Sequence, residues 1–169
     1  MEAIRKEADA WAKWSPVRPL TRDEAASVLK SKIMAKRILR SRMSYRDKNT
    51  GTSPLLAKAR LVVTGFTDPD LHRLTRNSPT ATRLAFFVVL QFGSSGFPVG
   101  WDLTTADVTT AFLQGEQNEE RKLPLYMRRP YDPLVEESGR FAEGDLYEIF
   151  GNVYGLSNAP YLWSCEVRR

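Results

Sequence analysis

A turn cluster between two alternating segments constrains the fold more than any other feature of this 169-residue chain. Residues 47–51 contain the Asp, Asn and Gly residues that favour tight turns. The flanking segments, 33–45 and 55–66, alternate in the manner of β-strands. We therefore predict an antiparallel β-hairpin. Lys58 and Arg60 should share one face of it, because successive side chains of a strand point to opposite sides.

The other elements are predicted from periodicity and from helix start and stop signals. A Thr21-to-Glu24 capping box starts the second helix. We expect helices at 2–14, 22–29, 80–92 and 158–167, a short helix at 109–113, strands at 99–108, 125–128 and 146–150, and a loop at 131–144. Helices and strands follow one another without regular alternation, which is typical of an α+β fold.

Charge is distributed unevenly along the chain. Residues 1–60 contain 15 Lys or Arg and 6 Asp or Glu, whereas 61–169 contain 10 and 14. A basic first part indicates a polyanionic partner such as nucleic acid, although a solvated basic face would have the same composition. The acidic residues of the second part, 61–169, are compatible with a site where carboxylates hold metal ions beside a basic groove.

Two features bear on the compartment. No apolar run approaches the roughly 20 residues that a membrane-spanning helix needs, and residues 1–5 lack the apolar core of a secretory signal. Cys165 is the single cysteine. It cannot form an internal disulfide, which agrees with a reducing compartment, and a buried small side chain is the alternative reading. We expect no membrane association.

Three segments contain candidate functional residues. Lys58 and Arg60 could together grip a triphosphate, or they could simply lie on an exposed strand face. Asp107 ends an apolar segment before a helix, where a carboxylate serves either as a metal ligand or as a helix cap. Gly155 permits a tight turn or the close approach of a ligand. The alternative is an ordinary strand-to-helix connection with a buried Trp163.

In their order along the chain, four segments resemble the reverse transcriptase domain of Ty1/copia-type retrotransposons. They read Lys-Ala-Arg-Leu-Val-Val-Thr-Gly-Phe at 58–66, Asp-Val-Thr-Thr-Ala-Phe-Leu-Gln-Gly at 107–115, Tyr-Met-Arg-Arg-Pro at 126–130, and Val-Tyr-Gly-Leu-Ser-Asn-Ala-Pro-Tyr-Leu-Trp at 153–163. Glu7 and Trp11 keep the spacing of the family's leading helix. The resemblance covers nearly the whole chain.

The resemblance implies a partial right-hand polymerase fold, with fingers and an incomplete palm. Residues 1–98 would form the N-terminal helices and the fingers-like region, and 99–169 the palm-like region, truncated before the family's Tyr/Phe-x-Asp-Asp hairpin. The chain departs from the family pattern at 157–158, where Ser-Asn replaces Lys-Gln, and at 63–64, where Val-Thr replaces Ala-Arg. No Asp-Asp pair occurs in the sequence.

Residue roles are also implied by the resemblance. Asp107 matches the first catalytic carboxylate, which binds both metal ions. Phe112 matches the aromatic gate that rejects a 2′-hydroxyl. The implied nucleotide-binding residues are Lys58, Arg60, Val108, Thr109, Thr110, Ala111, Phe112, Tyr154 and Gly155.

The resemblance thus implies an RNA-directed DNA polymerase that uses two Mg²⁺ ions, an RNA template, a DNA primer and deoxynucleotide triphosphates. In a full element, RNase H, integrase and protease segments would accompany it, in a cytoplasmic particle or the nucleus. Because the Asp pair is missing, we expect this chain alone to be inactive. A non-catalytic nucleic-acid-binding remnant and a decayed gene fragment are the alternatives.

Overall fold

A computed structural model describes residues 1–51, 53–115, 121–142 and 144–168. The chain forms two compact units, one made of Met1–Asn77 with Thr110–Arg169 and the other of Ser78–Thr109. The predicted division into regions 1–98 and 99–169 stays a prediction. At the level of fold class, the α+β prediction is confirmed, because helices and small sheets are mixed along the chain.

The regular elements occur in the following chain order. They are α1 Glu2–Trp14, β1 Val17–Pro19, α2 Arg22–Lys30, β2 Ile38–Leu39, β3 Ser41–Asp47, β4 Ala57–Val63, α3 Arg83–Gly96, β5 Leu125–Arg128, α4 Pro133–Ser138, β6 Leu146–Ile149 and α5 Ala159–Glu166. Short 3₁₀ turns lie at Met34–Arg37, Gly65–Thr67, Phe97–Val99 and Ala111–Gln114.

The first two helices confirm their predictions. α1 buries Ile4, Glu7, Ala8 and Trp11, a stripe at helical spacing that faces the core. α2 begins with the predicted capping box. The hydroxyl of Thr21 accepts from the Glu24 backbone N–H, and the Glu24 carboxylate accepts from the Thr21 N–H.

β3 and β4 form the predicted antiparallel hairpin, with Ser41 opposite Val63 and Asp47 opposite Ala57. The Asp47 carboxylate closes the turn by accepting from the backbone N–H groups of Asn49, Gly51 and Leu56. Met43, Ala59, Leu61 and Val63 are buried on one face of the hairpin, whereas Arg42, Ser44, Arg46 and Arg60 on the other face are exposed.

The strand predicted over 33–45 is wrong in its first part, where Met34–Arg37 forms a 3₁₀ turn. This turn directs Arg37 inward. Its guanidinium donates to the backbone carbonyls of Leu123 and Pro124 and to the Asp70 carboxylate. These partners lie far away in the sequence, so strand-like alternation did not reveal them.

A four-stranded sheet has the strand order β1–β6–β5–β2. β6 pairs antiparallel with β1 and β5, whereas β2 pairs parallel with β5. The predicted strands at 125–128 and 146–150 are confirmed, the second ending one residue early.

The predicted loop at 131–144 is wrong, because α4 lies within it. Asp132 caps α4, Gly139 ends it with φ 65°, and the fully buried Val135 anchors it.

The unit Ser78–Thr109 contains α3, which starts later than the predicted 80–92 and continues through 93–96. The strand predicted at 99–108 is wrong, because 101–108 has no regular secondary structure. Within this unit Gly93 lies against the Leu103 side chain and Gly96 against the Trp101 ring. The segment therefore folds back onto the glycine side of its helix instead of extending into a strand.

The main hydrophobic core joins α1, the hairpin, the four-stranded sheet and the segment before α5. Its buried members are Ile4, Trp11, Leu39, Met43, Ala59, Leu61, Val63, Leu113, Leu125, Met127, Val135, Tyr147, Ile149, Val153, Tyr154, Leu156 and Ala159. The predicted helix at 158–167 is confirmed as α5, with Pro160 in its first turn, and Trp163 on it is half-buried. Among the described residues, no helix is long and apolar enough to cross a membrane.

Candidate functional site

The solvent face of the β3–β4 hairpin contains an open cleft of about 560 Å³, lined by Ser44, Arg46, Lys48, Lys58 and Arg60. The strand register explains this grouping. Ser44 lies opposite Arg60, and Arg46 opposite Lys58, so these side chains share the face that the core does not use. We call this site the hairpin cleft. Among the described residues that line it, four carry positive charge and none carries negative charge.

The hairpin cleft brings like charges together. Arg46 and Lys58 are directly opposite each other across the hairpin, and like charges in that position are destabilising. The buried face offsets this repulsion, because Ala59, Leu61 and Val63 are almost completely removed from water. A bound polyanion would relieve the repulsion, so the hairpin cleft is suited to phosphate groups.

Arg60 connects the hairpin cleft to two aromatic residues from other parts of the chain. Its guanidinium lies 5.2 Å from the centroid of the Tyr154 ring, within the range of a cation–π contact. Tyr154 in turn makes an edge contact with Phe112, with ring centroids 5.9 Å apart. Three of the predicted nucleotide-binding residues therefore lie in one continuous stack, although they come from three separate parts of the chain.

The backbone at Tyr154 and Gly155 is fixed against β4. The Val63 N–H donates to the Tyr154 carbonyl at 2.9 Å, and the Gly65 N–H donates to the Gly155 carbonyl at 3.1 Å. Gly155 has φ +93°, and an added Cβ would overlap the Val63 carbonyl. Glycine is required here both for its backbone conformation and for the close approach of the two segments.

Glu7 lies beneath this stack and fixes α1 to β4. Its Oε1 accepts from the Leu61 backbone N–H at 2.9 Å and from the Trp11 indole Nε1–H at 2.9 Å. Burial raises the pKa of the Glu7 carboxyl, and these two hydrogen bonds only partly oppose the rise. Burial also raises the pKa of the Tyr154 hydroxyl, with a further contribution from Glu7, so Tyr154 stays neutral near pH 7.

The segment before Phe112 is divided between the two units. Thr110 is half-buried with φ 57°, its hydroxyl accepts from the Trp14 indole at 3.2 Å, and Ala111 begins the 3₁₀ turn. Asp107, Val108 and Thr109 belong to the unit Ser78–Thr109 and are exposed there. Their assignments, catalytic and metal-binding for Asp107 and nucleotide-binding for the other two, stay predictions.

Comparison of the chain with protein-family models, with curated proteins and with solved structures finds no match.

The metal-binding role of Asp107 stays a prediction. In the part of the chain that the structure describes, no three His, Cys, Asp or Glu side chains are placed to hold one metal ion together. Mg²⁺ prefers six oxygen ligands, of which one or two are carboxylates and others come from substrate phosphates and water.

Sequence reasoning missed Ser44, Arg46 and Lys48 as members of the site. For two of them the signal was present, because the hairpin pairs Ser44 with Arg60 and Arg46 with Lys58 once its register is known. The stack of Arg60, Tyr154 and Phe112 had no comparable signal. It depends on contacts between distant segments, which local periodicity does not reveal.

Proposed function

We propose that this chain is the fingers and part of the palm of a copia-type reverse transcriptase, an RNA-directed DNA polymerase, and that the hairpin cleft holds the triphosphate of an incoming nucleotide. One observation carries the proposal. Lys58 and Arg60 lie in a cleft lined by four cations, and Arg60 also packs on Tyr154. The resemblance assigns these same three residues to nucleotide binding.

The contacts indicate how the cleft would bind a triphosphate. Stacking on Tyr154 restricts the Arg60 side chain, so less rotamer freedom is lost when its N–H groups donate to phosphate oxygens. Arg60 lies at the middle of the hairpin, Lys58 and Arg46 add charge near its turn end, and Lys48 adds it in the turn. Each charge-assisted hydrogen bond of this kind contributes about 1.5–3 kcal/mol.

The contact between Phe112 and Tyr154 also supports a role in selecting deoxyribose over ribose. Phe112 is half-buried against the core, and its ring makes an edge contact with the ring of Tyr154. An aromatic side chain fixed in this way cannot move aside easily, and the resemblance gives it the role of excluding a 2′-hydroxyl. In this proposal the partners are an RNA template, a DNA primer and deoxynucleotide triphosphates.

Nucleotidyl transfer in this family also needs Mg²⁺, which stabilises the attacking and leaving oxygens of the phosphoryl group. Asp107 would supply one carboxylate. The sequence contains no Asp-Asp pair, so the other ligands that the family uses are not among these 169 residues. What this chain's own residues provide is binding and positioning of the nucleotide.

A second candidate is a nucleic-acid-binding protein without catalysis. The composition of the hairpin cleft favours it, since four cations attract any phosphate chain whether or not a metal centre is complete. Selectivity separates the two candidates. A polymerase site distinguishes triphosphate from monophosphate and deoxyribose from ribose, whereas a general polyanion site does not.

Replacing both Lys58 and Arg60 by methionine should weaken binding of a deoxynucleoside triphosphate by at least about tenfold, because two charge-assisted contacts are lost. Calorimetric titration with dATP and with dAMP measures this, and the loss should be much larger for dATP. Arg22→Met is the matched control, since Arg22 is an exposed arginine that does not line the cleft. An equal loss in the control, or unchanged dATP binding in the double variant, would contradict the proposed site.

Replacing Phe112 by valine should reduce the preference for dATP over ATP several-fold, because the smaller side chain leaves room for a 2′-hydroxyl. The measurement is the ratio of the two dissociation constants in wild type and variant. Phe112→Tyr keeps the aromatic ring and should keep most of the preference. If the wild-type protein binds dATP and ATP equally, the polymerase reading fails and the general polyanion reading stands.

A further inference from the structure

We infer that a second cleft in the same unit binds single-stranded nucleic acid. It has a volume of about 530 Å³ and is lined by Ala35, Ile38, Arg40, Ser41, Arg128, Arg129 and Tyr131. We call it the arginine cleft. It shares no lining residue with the hairpin cleft.

Strand pairing places two of the arginines side by side. β2 and β5 run parallel, with Leu39 opposite Met127, so Arg40 and Arg128 follow at the same end of the two strands. Backbone contacts fix both walls. The Ser41 hydroxyl donates to the Arg128 carbonyl at 2.5 Å, and the Thr64 N–H donates to the Arg40 carbonyl at 2.9 Å. The backbone positions of Arg40 and Arg128 are thus set by the sheet.

The charges of this cleft are largely uncompensated. Arg129 makes one loose contact, 3.4 Å, with Glu136, which is itself half-exposed. Among the described residues, neither Arg40 nor Arg128 forms an ion pair with a carboxylate. Both are exposed, so their guanidinium groups can donate to an incoming anion.

Tyr131 adds an aromatic side chain to the lining of the arginine cleft. It is 75% exposed, the largest exposed fraction among the tyrosines that the structure describes as exposed. Its backbone is held between the fully buried Pro130 and Asp132, the cap of α4. An aromatic ring on a fixed backbone beside three arginines provides a stacking surface next to phosphate-binding groups, which is the combination that binds single-stranded nucleic acid.

This combination favours a single strand over other polyanions. A duplex keeps its bases paired and stacked, so an exposed tyrosine gains little from it. An acidic peptide would use the arginines but not the ring. The inference does not rest on the proposed nucleotide site, since a chain without that activity would still present the arginine cleft.

Tyr131→Ala should weaken binding of a fluorescently labelled oligothymidylate of roughly ten nucleotides by about tenfold, because one stacked base is lost. Tyr131→Phe keeps the ring and should bind within about twofold of wild type. Arg40→Gln with Arg128→Gln should lower the slope of log K against log salt by roughly 0.7 for each arginine. Anisotropy titrations at several salt concentrations measure all three, with thermal melting to confirm that each variant is folded.

Three results would overturn the inference. The first is an unchanged affinity in Tyr131→Ala, and the second is an equal loss in the matched exposed control Arg22→Gln. The third is competition by a polyglutamate peptide as strong as that by unlabelled oligonucleotide, which would assign the cleft to acidic proteins. The titrations are repeated in the Lys58→Met, Arg60→Met background. Persistence of the Tyr131 effect there would support the arginine cleft even if dATP binding to the hairpin cleft were never observed.

Discussion

Replacing Asp68 by asparagine should lower the free energy of unfolding by about 3 kcal/mol or more, because it leaves a buried guanidinium without its counter-ion. The Asp68 side chain is completely buried, and Arg121, which pairs with it through both carboxylate oxygens, is only 10% exposed. Arg121 also lies 3.5 Å from an Asp70 oxygen, and Asp70 is already engaged by Arg37. Urea denaturation followed by tryptophan fluorescence measures the change.

The four charges form one network, which explains the size of the expected effect. Hydrogen bonding to Arg37 lowers the pKa of Asp70, so this carboxylate stays ionised near neutral pH. The network joins the 3₁₀ turn Met34–Arg37, the 68–70 loop and the segment that leads into β5. Losing one member therefore loosens three segments together.

An exposed ion pair in the same unit provides the control. Asp9 and Arg140 pair at 3.1 Å, but their side chains are 60% and 45% exposed, so Asp9→Asn should change stability by less than about 0.5 kcal/mol. The double variant Asp68→Asn, Arg121→Met should be more stable than Asp68→Asn alone, because it also removes the unpaired charge. If Asp68→Asn costs no more than Asp9→Asn, the buried network contributes little to stability.

Local patterns were sufficient for much of this fold. α1, the capping box of α2, the β3–β4 hairpin and the two central strands β5 and β6 each follow from periodicity and turn residues within a short window. Their signals are strong because each element buries one side and exposes the other. The common face of Lys58 and Arg60 follows from the same rule.

Elements that depend on distant contacts were missed. Arg37 occupies a strand-like position in the sequence but folds inward, because carbonyls at 123 and 124 and a carboxylate at 70 accept from it. Gly93 looks like a helix stop, yet it stays inside α3 because Leu103 packs against it. The contact of Arg60 with Tyr154 likewise joins segments that only tertiary packing brings together.

Replacing Glu7 by leucine should lower the free energy of unfolding by about 3 kcal/mol, because two buried donors lose their acceptor at a cost of about 1–3 kcal/mol each. These donors are the Leu61 N–H and the Trp11 indole N–H, and both bond to the same oxygen of Glu7. Glu7→Gln keeps an oxygen acceptor at that position. It should differ from wild type by no more than about 1 kcal/mol at pH 4, where the ionisation of Glu7 contributes least.

The pH dependence separates hydrogen bonding from charge at Glu7. Its pKa in the folded protein is raised by burial, so folding favours the protonated carboxyl. The contribution of this group to stability is therefore fully present below the unfolded-state pKa of about 4.3, and it is lost as the pH rises through the folded-state pKa. Glu7→Gln cannot ionise and lacks this loss. Its stability relative to wild type should increase from pH 4 to pH 7 and then level off.

A difference that is constant with pH would show that Glu7 titrates normally and that burial does not restrict its charge. A leucine variant as stable as the glutamine variant would show that the two hydrogen bonds do not hold α1 on the hairpin.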